Sequence, residues 1–124
     1  VHDWCDAEAW DRFLYERYGE HRRSMLRTLD TWISAAADQC AGRGIPLVFG
    51  EGWIGCTPLS GNFEEGPVGA EVCREAVRLS ARAGAWGTIV CSNAAPHHPM
   101  WNDIALQREC NGTFSGTETS PERS

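Results

Sequence analysis

Residues 45–55 read IPLVFGEGWIG, an apolar run that ends in one carboxylate, Glu51, held between Gly50 and Gly52, with Trp53 just beyond. Pro46-Leu47-Val48-Phe49 offers no polar residue to mark a solvent side, the pattern of a strand buried on both faces of a parallel sheet. A second run of this kind is Gly87-Thr88-Ile89-Val90-Cys91. Between the two, Pro67 suits the first turn of a helix. Val68, Val72, Ala76, Leu79 and Ala83 follow at helical spacing until Gly84 closes the segment. Strand, helix, strand on this scale predicts a parallel βαβ unit with a right-handed crossover.

Upstream, Asp6 is placed to cap a helix, with Glu8 in its first turn. Trp10, Phe13, Leu14 and Tyr18 form its apolar stripe, and Gly19 is expected to stop it. A second, longer helix then buries Met25, Leu29, Trp32 or Ile33, Ala36 and Cys40, and ends at Gly42 and Gly44. Downstream, a loop from Ser92 to Pro99 leads to a last helix from about Met100 to Cys110, with Trp101, Ile104 and Ala105 inward. The polar run from Asn111 onward predicts disorder. The domain is accordingly bounded at 1–114, with 115–124 a tail. Two strands alone cannot close a sheet core, so the pattern reads as a piece of a larger α/β protein.

The totals agree with a globular domain: 124 residues, 42% hydrophobic and 23% charged. A net charge of -6 with scattered arginines argues against a nucleic-acid partner, which would require a basic stripe. No apolar run reaches the length of a membrane span. No signal peptide is visible, which favours the cytoplasm, although a chain starting at Val1 is expected to have lost its natural N-terminus. The six cysteines form no CxxC pair and read as reduced packing residues rather than a zinc or redox motif. The sequon Asn111-Gly112-Thr113 has meaning only in a secreted chain.

Both informative loops follow the C-terminal ends of the expected strands, where α/β proteins place their sites. Glu51 at such an end suits a nucleophile or a general base. Its flanking glycines leave room for a ligand ring, and Trp53 offers a flat apolar face for stacking. The plainer reading is a glutamate that caps a loop.

Taken together, VFGEGW (48–53), FEEGPVG (63–69) and GTIVCSNAAPHHPMW (87–101) resemble the cellulase-like family of TIM-barrel glycoside hydrolases in the large retaining clan, over Val1 to Phe114. The resemblance implies the α/β fold of a C-terminal portion of a (β/α)8 barrel. Pro46–Gly50 would be strand seven, Gly87–Cys91 strand eight, and VHDW the loop leaving strand six. It implies that Glu51 is the nucleophile in the hydrolysis of an O-glycosidic bond, with an oligosaccharide or glycoside as substrate. His2 and Trp4 stand where related enzymes orient the nucleophile or line the sugar site. The departure is that strands one to five and the acid/base glutamate are absent. A retaining mechanism needs two carboxyl groups about 5 to 5.5 Å apart. This chain alone is therefore expected not to hydrolyse a glycoside.

After the second strand, Asn93, His97 and His98 can donate to sugar hydroxyls, and Trp101 can stack on a ring. His97 and His98 are adjacent and tend to diverge, so no metal site is expected. No phosphate loop is present, and no cofactor is expected. Glu64 and Glu65, in the loop after the first strand, read as a solvated edge or as sugar-hydroxyl partners rather than as the missing acid. The alternatives are a non-catalytic carbohydrate-binding protein and a half-barrel that pairs with its own copy, or with the missing N-terminal half, through exposed strand edges.

Overall fold

The computed structural model describes residues 6–50, 52–55, 62–90 and 99–116. They form α1 (Ala7–Ala41), β1 (Val48–Phe49), α2 (Pro67–Arg82), β2 (Gly87–Thr88), a 3-10 turn (Pro99–Asn102) and α3 (Ile104–Ser115).

The Asp6 carboxylate accepts the Ala9 amide at 2.9 Å and starts α1. The helix then runs unbroken for 35 residues. The expected stop at Gly19 does not occur. One interior glycine costs about 1 kcal/mol relative to alanine, and the flanking residues are good helix formers. The Arg17–Glu20 ion pair, 2.7 Å long, also spans the position. The end of α1 is as expected: Gly44 adopts a left-handed φ of 65°.

The expected barrel portion is overturned. The described residues are mostly helical, at 69% helix with three α-helices, and among them the sheet has two parallel strands. Val48 pairs with Gly87 and Phe49 with Thr88. Among the described residues the apolar runs have no further strand beside them, and β1 and β2 pair only with each other. They are not buried on both faces either, because Val48 is 57% exposed and Ile89 39% exposed. The ladder continues just past the strands, where Trp86 N donates to the Leu47 carbonyl and Ile89 N to the Phe49 carbonyl.

The core gathers on α2, whose Cys73, Ala76, Val77, Leu79 and Ser80 are buried. Ile54, Leu106 and Cys110 close around Cys73 and Val77, with Trp53, Ala70, Val90 and Phe114 packed against them. Cys73 and Cys110 carry thiols with their sulfurs 3.9 Å apart, so these cysteines serve as packing residues. The last helix starts later than expected. Asp103 caps it by accepting the Leu106 amide at 3.0 Å, which turns Leu106 and Cys110 inward. Trp101, Ile104 and Ala105, expected inside, are exposed. Residues 111–115, expected to be disordered, belong to α3.

The turn before α2 sits directly on the helix. A Cβ on Gly69 would fall on the Glu64 carbonyl oxygen, and one on Gly66 would strike the Asn62 carbonyl. Gly19, by contrast, has nothing within 4 Å. Opposite outcomes are expected for one substitution at these two sites. Gly69→Ala should destabilise by about 3 kcal/mol or more, through a clash with backbone that cannot yield. Gly19→Ala should stabilise by about 0.5–1 kcal/mol. Urea unfolding of both variants measures the pair, and a tolerated Gly69→Ala would show that the turn does not rest on α2.

Candidate functional site

The site is built where the chain leaves the C-terminal ends of the two strands. Past β1 it returns alongside β2, and Trp53 N donates to the Val90 carbonyl at 3.2 Å. The Trp53 indole Nε1 donates to the Thr88 hydroxyl at 2.7 Å. Its ring meets Phe49 edge-on, with centroids 5.2 Å apart and planes at 61°. Trp53 is thus tied to both strands and packed on the core. Its N–H is already used, so what it can offer a ligand is ring surface.

Of the residues singled out from the sequence, Trp53, Glu64, Glu65 and Trp101 are described. Trp53 stands at the strand ends as expected, while Trp101 lies in the 3-10 turn, 44% exposed. His2, Trp4, Glu51, Asn93, His97 and His98 lie outside the described residues. Among the described residues no three His, Cys, Asp or Glu side chains gather where a metal ion could be held. None of the described helices is long and apolar enough to cross a membrane.

The sequence reading missed the way α1 holds the turn beside Trp53. The Asp11 carboxylate accepts the amides of Asn62 and Phe63, each at 3.0 Å. The Tyr15 hydroxyl donates to Asn62 Oδ1 at 2.7 Å. Phe63 is wedged edge-on against Tyr15 and Tyr18, with centroids 5.3 and 6.0 Å away. The Glu64 carboxyl lies against Gly55, where any Cβ would collide with it. The only hint in the sequence is Asp11 with Tyr15 and Tyr18, a polar-aromatic stripe at helical spacing whose partner is some fifty residues away.

Further along, α1 and α2 are clasped by Tyr18, Arg22 and Glu71. The Tyr18 hydroxyl donates to Glu71 Oε2 at 3.0 Å, and Arg22 Nε donates to Glu71 Oε1 at 2.7 Å. Burial, reinforced by the Glu71 carboxylate, pushes the Tyr18 phenol from 10.0 up to about 12. The Arg22 hydrogen bond holds the Glu71 carboxyl below its usual range, with a smaller contribution from Tyr18. Asp30 and Arg82 add a bridge of 3.1 Å. These partners advance together along both helices, so α1 and α2 run side by side in one direction.

The chain matches no protein-family model, no curated protein and no solved structure.

Two outcomes are expected here. The stabilisation from Tyr18 should be complete below pH 10.0 and disappear as the pH rises towards about 12, because the folded state keeps the phenol protonated. That from Glu71 should be complete above pH 4.5 and disappear as the pH falls through its lowered pKa. The melting-temperature gap between wild type and Tyr18→Phe should therefore close at the alkaline end, and that for Glu71→Gln at the acid end. Gaps that stay constant with pH would remove ionisation from the clasp. Separately, Thr88→Val should cost about 1 kcal/mol and speed solvent exchange of the Trp53 indole N–H, while Thr88→Ser retains the bond. Nitrogen-15 spectra, with Trp53→Phe to assign the signal, would show an unchanged exchange rate if that bond were absent.

Proposed function

We propose that this chain carries the nucleophile and part of the sugar-binding surface of a retaining glycoside hydrolase. The observation that supports it is the fixed position of Trp53 across the C-terminal ends of β1 and β2, held by Thr88 and Phe49. Glu51 leaves β1 two residues before this ring, and Asn93, His97 and His98 follow β2. The resemblance of 48–53, 63–69 and 87–101 to the cellulase-like family points the same way.

In this reading Glu51 attacks the anomeric carbon and forms a covalent glycosyl-enzyme, and the bond to the leaving oxygen breaks. A second carboxyl group protonates that oxygen and then activates the water that releases the sugar. Glu64, which lines one cavity with Trp53, is turned onto Gly55. The acid is therefore assigned to a group other than Glu64. Trp53 would stack on the apolar face of a sugar ring, and Asn93 and the histidines would donate to its hydroxyls.

That same orientation of Glu64 favours, as a second reading, sugar binding without turnover. Activated 2-fluoro glycosides separate the two, because a dinitrophenolate leaving group departs without a general acid. Incubation with gluco, manno and galacto versions should add one fluoro-sugar mass to the wild-type chain, on the peptide containing Glu51. Glu51→Gln should take up none while still binding the parent sugar. Sugar binding with no adduct from any of the three would remove Glu51 as nucleophile and leave the binding reading.

A further inference from the structure

Trp53 has a second role in the fold. It forms one wall of a cavity of about 300 Å³ between α1 and α2. The other walls include Leu26 and Leu29 of α1, Val72 of α2, and Phe63. One carboxylate, Glu64, reaches the lining. An apolar cavity of about 150 Å³ is enough to hold benzene, so this one accommodates a substituted aryl ring or a short alkyl chain. Its volume lies at the lower end of the range of small-molecule sites.

The lining decides what can enter. A sugar ring carries hydroxyls around its whole edge, and moving them against Leu26, Leu29, Val72 and Phe63 would strip their water without replacing it. An apolar group gains by the same transfer. Glu64 adds a sign to the choice, because its negative charge disfavours an anionic group and tolerates a neutral one or a hydroxyl donor. Gly55 keeps the carboxylate there, since any larger residue would displace it.

The two environments meet at one side chain. Trp53 faces the strand ends through Thr88 and Phe49, and it also closes the cavity. A ligand that reaches both must have a polar part and an apolar part. We infer that the cavity binds the apolar, uncharged aglycone of a glycoside whose sugar lies at the strand ends. The inference rests on the glycoside reading above and narrows the substrate class to aryl or alkyl glycosides.

Calorimetric titration tests it with three probes: phenol, and the methyl and phenyl glycosides of glucose, mannose and galactose. Phenol should bind saturably on its own. For the sugar that is recognised, the phenyl glycoside should bind at least about tenfold more tightly than the methyl glycoside, as expected for burying one ring. A 4-carboxyphenyl glycoside should lose that gain, and Glu64→Gln should restore it. Val72→Phe, which fills the cavity, should weaken phenol and phenyl glycoside about tenfold or more and leave the methyl glycoside unchanged. Circular dichroism checks that this variant is folded.

Absence of phenol binding, with Val72→Phe raising the melting temperature, would make the cavity a packing gap and overturn the inference whatever the sugars do. Equal affinity for phenyl and methyl glycosides would overturn it as well. Phenol binding that Val72→Phe abolishes, with no glycoside bound, would instead overturn the glycoside reading and with it the aglycone assignment.

Discussion

The turn at 62–66 can lie on α2 only because residue 69 has no side chain. Everything near the candidate site follows from that close approach. It brings Phe63 against Tyr15 and Tyr18, places the amides of Asn62 and Phe63 at the Asp11 carboxylate, and turns Glu64 towards Gly55. A helix normally keeps a neighbouring backbone at arm's length with its side chains. Here a glycine on the first turn of α2 lets main chain meet main chain, and α1 secures the result from the other side.

How much of this was legible depends on the range of the interaction involved. The Pro67 start of α2, its close at Gly84 and the packing of Ala76 and Leu79 are local signals, and they read correctly. The Asp6 cap of α1 is local too. Gly19 misled because a stop signal is a balance of energies: helix-forming neighbours and the Arg17–Glu20 pair outweigh one glycine. Trp101 misled because an apolar residue just ahead of a cap belongs to the approach, not to the helix, and Ile104 because the Asp103 cap sets a register that turns Leu106 and Cys110 inward instead. Within the candidate site, the placement of Trp53 could be anticipated from its distance past the strand. Its bond to Thr88 could not, since the partner lies 35 residues on.

The strands show the limit of reading burial from composition. Leu47, Val48 and Phe49 are apolar because something is meant to lie against them, but composition does not say whether this chain supplies it. Among the described residues it does not supply enough: Val48, Ile89 and the indoles of Trp32 and Trp86 remain exposed. Against that, α2 has a complete set of neighbours. The molecule is thus unevenly finished, with a well-packed interior around Cys73 and Val77 and an apolar exterior beside the strand pair. Exposed apolar side chains are ordinary when single, and it is a contiguous patch of them that favours association.

The contact between Asp11 and the amides of Asn62 and Phe63 joins residues 51 and 52 positions apart. Closing so long a loop costs chain entropy before any contact repays it, so such contacts form late in folding, after helices that need only local bonds. The anchor of the turn therefore assembles after the helices themselves, together with the Tyr18–Glu71 and Asp30–Arg82 contacts, which span 53 and 52 residues. The tie between α1 and the turn at 62–66 is a late-closing seam in a frame of helices that form early, and Trp53 sits where that seam meets the core around Cys73.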